Sequence, residues 1–145
     1  MLVQPGRERT DTRQRLTAVR EALLRLHKAL LESERAGYEQ IFGRVGSSYQ
    51  FLQLLTNDPW FAWLRPVSQL IAAIDEQLEA QEPLTAAGME MLVNRAKSLL
   101  VITAGDEGFS EHYEAALQRD PDVVFAHADA ARLLRAQNGG VGLAN

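Results

Sequence analysis

The segment from Asp58 to Arg65 (DPWFAWLR) constrains the fold of this chain more than any other part of the sequence. Asp58 is a good N-cap, because its short carboxylate can accept hydrogen bonds from the free N–H groups of a first helical turn. Pro59 suits the first helical position, where its missing N–H costs nothing. Apolar residues then recur at intervals of three and four, as on one buried face of a helix. They are Trp60, Trp63, Leu64, Val67, Leu70, Ile71, Ile74 and Leu78.

Helical periodicity continues on both sides of this segment, and the sequence contains no strand-like alternation bounded by turn signals. The chain of 145 residues is long enough to bury a substantial core. We therefore predict an all-α fold, a single helical bundle of five or six helices with a long N-terminal helix. Residues 1–9 are predicted to form a flexible leader, residues 10–137 the bundle domain, and residues 138–145 a disordered tail.

The first helix carries a leucine seam whose members alternate steps of three and four, as in a coiled coil. The seam consists of Leu16, Val19, Leu23, Leu26 and Leu30. We predict one continuous helix to about Phe42, nearly 50 Å long at about 1.5 Å per residue; a break near residues 33–37 is the alternative. Since such a helix is long for a small domain, Leu16, Leu23 and Leu30 are predicted to contribute to an interaction surface, with a homodimer as one form of it.

Both tryptophans lie in the Asp58–Arg65 segment, and aromatic residues often dominate the energetics of protein interfaces. Trp60, Phe61 and Trp63 are therefore candidate interaction residues. Core packing is the favoured alternative, because Trp60 and Trp63 fall on the predicted buried face and Phe61 does not. Pro66 cannot donate a backbone hydrogen bond, so we expect a kink or a two-part helix there.

The composition excludes several classes of protein. The chain has no cysteine, which rules out disulfides, thiolate metal sites and thiol catalysis. Its N-terminus lacks the apolar stretch of a signal peptide, and no apolar run approaches the roughly 20 residues that a membrane span needs. We expect a cytoplasmic protein with no membrane partner.

Histidine and acidic residues give little support for a metal site. None of the three histidines belongs to a Glu-x-x-His pair, the motif of carboxylate-bridged metal sites in bundles. His112 and His127 lie on consecutive predicted helices near several carboxylates, which keeps a metal site as a minor alternative. Glu76 and Glu79 share a helix face, but the next helix lacks the second acidic pair that a Mg²⁺ site would need. No cofactor and no catalytic set are predicted.

Charge is distributed unevenly. Residues 1–35 carry eight basic and five acidic groups, whereas residues 36–145 carry seven basic and fourteen acidic groups. A basic side formed by Arg13, Arg20 and Lys28 could contact nucleic acid, but no recognised nucleic-acid-binding motif accompanies it. The favoured interpretation is that the basic first helix lies beside the acidic third helix.

The run LLTNDPWFAWLR, from Leu54 to Arg65, followed by Asp75 and Glu76, resembles an uncharacterised family of small helical bacterial proteins. The resemblance implies an all-helical fold and a bacterial source, and it implies no activity and no site residues.

These patterns favour a non-enzymatic module for protein–protein interaction or assembly, which binds a protein partner or itself. A bundle that binds a small ligand or a metal, with a possible enzymatic role, is the alternative. Weak nucleic-acid binding through the basic first helix is the third hypothesis.

Overall fold

A computed structural model of the chain describes residues 5–101 and 108–137, with side chains from residue 11 onward. Every regular element in those two ranges is a helix, so the predicted all-α fold with a long first helix is confirmed. The elements are α1 (Pro5–Phe42), α2 (Ser48–Asn57), the 3₁₀ helix η1 (Pro59–Leu64), α3 (Arg65–Glu79), α4 (Ala86–Leu100), α5 (Phe109–Arg119) and α6 (Pro121–Gln137).

Helix α1 is continuous over 38 residues, about 57 Å at 1.5 Å per residue. It begins at Pro5, where a proline suits the first turn, so residues 5–9 of the predicted leader belong to the helix. The predicted alternative, a break at residues 33–37, does not occur. Residues 1–4 and the predicted tail at 138–145 lie outside the described residues.

The helix predicted after Asp58 has two parts, as Pro66 predicts. The 3₁₀ turn η1 ends at Leu64 and α3 begins at Arg65, which places Pro66 in the first turn of α3, where its missing N–H is tolerated. The predicted cap at Asp58 is present, because its Oδ1 accepts a hydrogen bond from the N–H of Trp60 at 2.8 Å. Two further caps begin α2 and α4. Ser47 and Thr85 accept hydrogen bonds from the N–H groups of Gln50 and Gly88 at 3.1 and 2.9 Å.

The core is built around α1, which packs mainly against α6 and α3, with α4 against both. Leu16, Leu23 and Leu30 have 0%, 1% and 0% of their surface exposed. The leucine seam therefore faces other helices of the same chain. This corrects the prediction that these leucines form a surface open to a second chain. Their heptad-like spacing reflects packing within the bundle, since intramolecular and intermolecular helix pairs bury the same kind of apolar stripe.

No helix in the described part of the chain is long and apolar enough to span a membrane.

Candidate protein interaction site

Aromatic side chains cluster where the C-terminal end of α1 meets η1. The ring of Tyr38 lies 4.7 Å from that of Phe42, 6.0 Å from Trp60 and 5.5 Å from Phe61, measured between centroids. Phe42 and Trp60 meet edge to face at 6.0 Å, and Phe51 of α2 meets Phe61 in the same way at 5.7 Å. Such tilted and edge-to-face contacts are the favoured arrangements of aromatic rings. The cluster therefore joins α1, α2 and η1.

The position of each aromatic residue in η1 follows from the 3₁₀ geometry. With about three residues per turn, residues i and i+3 lie on the same side. Phe61 and Leu64 form the buried side, whereas Trp60 and Trp63 form a half-buried side. The two tryptophans pack against the core, as predicted, but they are only half-buried. The prediction was wrong for Phe61, which is buried, because it assumed an α-helix from Trp60 onward.

Trp60 packs closely against α1, to which it donates a hydrogen bond, and a glycine of α1 leaves room for its ring. Its Nε1 donates to the backbone oxygen of Glu34 at 3.3 Å. A Cβ atom placed on Gly37 would lie 3.5 Å from Cζ2 of Trp60, so the glycine lies directly beneath the indole ring. The indole is thus held in one orientation with part of its surface exposed.

The loop between α1 and α2 is anchored to the last turns of α1. Gly43 has a φ of +93°, a conformation that suits the residue just after a helix C-terminus. The N–H of Val45, which is buried, donates to Oε2 of Glu39 at 2.8 Å. Arg35 donates to the oxygen of Val45 at 3.4 Å, and its guanidinium lies 4.9 Å from the centre of the Phe51 ring. These contacts hold the start of α2 in a defined position.

Helix α2 has no buried residue, although five of its ten residues are large and apolar. Phe51, Leu54 and Leu55 are half-buried against the core. Tyr49 and Leu52, in contrast, have 72% and 57% of their surface exposed. Burial of apolar surface stabilises a structure by roughly 25 cal/mol per Å². The exposed apolar surface of α2 therefore adds nothing to the stability of the bundle, and burying it against a partner would be favourable.

Exposed apolar side chains concentrate in and beside α2. Eight large hydrophobic residues are exposed among those described, and four of them fall between residues 41 and 52. We define these four, Ile41, Phe42, Tyr49 and Leu52, as the 41–52 patch. None of the four was predicted as an interaction residue from the sequence. For Tyr49 and Leu52, the signal that could have found them is the width of the apolar side of α2, which leaves Gln50, Gln53 and Asn57 as its polar face and is broader than the stripe that usually faces a core.

His112 and His127 have separate surroundings. The ring of exposed His112 stacks on Trp63, with centroids 5.3 Å apart. Nδ1 of His127 lies 2.6 Å from the hydroxyl oxygen of Tyr113. Across residues 5–101 and 108–137, no three histidine, cysteine or acidic side chains are grouped so that they could hold a metal ion. The metal hypothesis therefore gains no support from the part of the chain that the structure describes.

The three candidate nucleic-acid residues do not act as one basic surface. Arg20 donates to Asp75 of α3 in an ion pair, which confirms that the basic first helix lies beside the acidic third helix. Lys28 faces a cleft that also contains carboxylates, and Arg13 is exposed on the first turns of α1. Because Asp75 balances the charge of Arg20, this residue adds little to any attraction for phosphate, and the nucleic-acid hypothesis stays a prediction.

A cleft of about 220 Å³ lies between α1 and the start of α6. Its lining residues are Arg25, Lys28, Ala29, Glu32, Asp120, Asp122 and Ala126. Small-molecule sites usually enclose about 300 Å³ or more and are mainly apolar. The mixed charges of this cleft select no particular ligand, so the 41–52 patch is the stronger candidate site.

Comparison of the chain with protein-family models, with curated proteins and with solved structures found no match. The candidate site is therefore defined by its geometry alone, and the bacterial source implied by the sequence resemblance stays a prediction.

Proposed function

We propose that this chain is a non-enzymatic protein interaction module that binds its partner through the 41–52 patch. The observation that supports the proposal is the exposure of Tyr49 and Leu52 on α2, a helix in which no residue is buried. Contiguous apolar surface on soluble proteins often marks a site of association. A partner that covers α2 would bury the apolar area that the bundle leaves in contact with water.

The rigid attachment of α2 favours binding. Arg35 and Glu39 tie the loop before α2 to α1, and Arg65 donates to the oxygen of Thr56 at 3.2 Å at the other end of the helix. A surface that is already ordered loses less conformational entropy when a partner binds. The patch therefore has the properties of a preformed interface.

Trp60 extends the proposed interface beyond α2. Its ring contacts that of Phe42, which is 63% exposed, and the indole is itself only half-buried. Tryptophan is one of the residues that are enriched among those that contribute strongly to binding. In this proposal Trp60 contacts the partner, whereas Phe61 supports it from the core and Trp63 packs on α5. The proposal places the module in the cytoplasm, where a chain without cysteine folds with no need of oxidation.

Site-specific photo-cross-linking in the cells that carry the chain tests the proposal. A benzophenone amino acid replaces Tyr49 in one variant and Gln69, an exposed polar residue of α3, in a control variant. We expect a discrete protein adduct at position 49 that mass spectrometry identifies, that is absent at position 69, and that disappears when Leu52→Glu is added. The proposal fails if position 49 gives no adduct, or if positions 49 and 69 give the same ones.

A further inference from the structure

We propose that the partner is a second copy of this chain, and that the two copies pair through α2 in an antiparallel, two-fold symmetric dimer. This inference rests on the proposed function and specifies its partner. It is carried by three properties of α2: its lack of charge, the spacing of its exposed side chains, and the different charges at its two ends.

The first property is that α2 contains no charged residue from Ser48 to Asn57. In a two-fold symmetric interface the same surface occurs on both sides, so a charged patch would meet its own sign. Like charges brought together in an interface cost several kcal/mol. The neutral, apolar side of α2 is therefore compatible with a copy of itself.

The second property is that the exposed residues of α2 form a stripe. Tyr49, Leu52 and Thr56 are all exposed, and they are separated by three and four residues, which places them along one side of the helix. Gln53 is exposed beside Leu52. A stripe of this kind, about two turns long, can pack against the same stripe of a second helix.

The third property is the charge at the helix ends. Arg44 is exposed just before α2, and Asp58 follows its last residue. A parallel pair would bring the two copies of Arg44 together and align the helix dipoles. An antiparallel pair places each Arg44 near the C-terminal end of the partner helix, where the carbonyl groups carry partial negative charge. Arg65 lies at that end too, where it donates to the oxygen of Thr56, and the negative charge of Asp58 leaves these two residues with no net charge. The helix dipole and the repulsion between the two copies of Arg44 therefore favour the antiparallel pair.

Cysteine cross-linking tests both the partner and the orientation, because the natural chain has no thiol. In an antiparallel pair centred between Leu52 and Gln53, residue 49 of one copy lies beside residue 56 of the other. The two copies of residue 49 are then about 10 Å apart along the helix axis, beyond the reach of a disulfide. We expect a disulfide-linked dimer when purified Tyr49→Cys and Thr56→Cys proteins are mixed and oxidised. Each of the two proteins oxidised alone should form little disulfide-linked dimer. Ser98→Cys, at an exposed position of α4, is the control and should also form little.

Sedimentation of the purified chain separates this inference from the proposed function. We expect a species of twice 16.1 kDa at high concentration. Leu52→Glu should raise the dissociation constant of the dimer about tenfold or more. Met91→Glu, at a more exposed apolar site on α4, should leave it unchanged. A chain that is monomeric at all concentrations overturns the dimer. A disulfide in each single-cysteine protein, with no disulfide between residues 49 and 56 in the mixture, overturns the antiparallel orientation. If the cross-link at position 49 then joins a different polypeptide, the interaction module stands without the dimer.

Discussion

A polar contact between Tyr113 and His127 connects α5 to α6. Tyr113 is fully buried, and burial raises the pKa of its hydroxyl. Burial lowers the pKa of His127, and the positive charge of Arg135 lowers it further. A protonated hydroxyl can thus donate to the neutral Nδ1 of His127. Burial also lowers the pKa of His27 on α1, so the folded chain favours two neutral imidazoles.

This arrangement predicts how stability depends on pH. In the unfolded chain each imidazole titrates near the ordinary histidine pKa of 6.5, whereas in the folded chain burial shifts its titration to lower pH. The unfolded state therefore takes up protons first, so the free energy of unfolding is unaffected well above pH 6.5 and falls as the pH drops below about 7. Urea unfolding between about pH 7.5 and pH 5.5 measures the slope.

Replacement of the histidines provides the control for that measurement. His127→Gln should flatten the slope, and the double variant His27→Gln/His127→Gln should flatten it further. A slope that is the same in the natural chain and in the double variant would show that other groups cause it.

At the scale of the element, two glycines at the C-terminal end of α1 have opposite roles. Gly37 lies inside the helix beside Trp60, and Gly43 follows the last helical residue with a φ of +93°. Glycine inside a helix is destabilising relative to alanine because the unfolded chain loses more backbone entropy. Glycine just after a helix adopts a positive φ without the clash that a Cβ atom would cause.

Alanine substitutions at these two positions should therefore change stability in opposite directions. Gly37→Ala should raise the free energy of unfolding by about 0.5 to 1 kcal/mol, since its Cβ atom meets Trp60 at an ordinary contact distance. Gly43→Ala should lower it by about 1 kcal/mol, although no atom lies within 4 Å of the new Cβ, because the strain is in the backbone. Thermal unfolding monitored by circular dichroism measures both, and changes of the same sign would refute the argument.

At the scale of the whole molecule, α1 organises the bundle. After the leucine seam, α1 makes polar contacts in its C-terminal third. Buried Ser33 accepts hydrogen bonds from Nε and Nη2 of Arg119 at 3.1 and 2.8 Å, and Nη2 also lies 3.1 Å from Oε1 of Glu34. These bonds explain how the helix passes through a polar stretch without a break, since each buried polar group there has a partner.

Two leucine substitutions distinguish the core from the 41–52 patch. Leu23→Ala removes a side chain that is 1% exposed and should lower the free energy of unfolding by about 3 kcal/mol, because it leaves a cavity. Leu52→Ala should change it by less than about 0.5 kcal/mol in the monomer. Chemical unfolding at low protein concentration measures both, and a large loss from Leu52→Ala would mean that α2 is part of the stabilising core.

The all-helical fold and several helix ends follow from the sequence, because their signals are local. Ser47, Asp58 and Thr85 cap helices by accepting hydrogen bonds from N–H groups two or three residues away. Pro66 separates η1 from α3 because it lacks a backbone N–H, which is a property of the residue itself. The start of α1 at Pro5, ahead of the predicted start, shows the limit of this approach: the polar sequence there has no apolar repeat from which a helix could be recognised.

What only the tertiary structure decides is which apolar side chains are covered. The leucine seam packs inside the bundle because α3 and α6 lie against it, and their residues are far away in sequence. Phe61 is buried because the turn that contains it is 3₁₀, whereas Tyr49 and Leu52 stay exposed because no described helix packs over that side of α2. Capping depends on neighbours along the chain and is therefore readable from sequence, but burial depends on neighbours in space. For this reason the sequence predicted the helices, and the structure moved the candidate interaction site from the seam of α1 to α2.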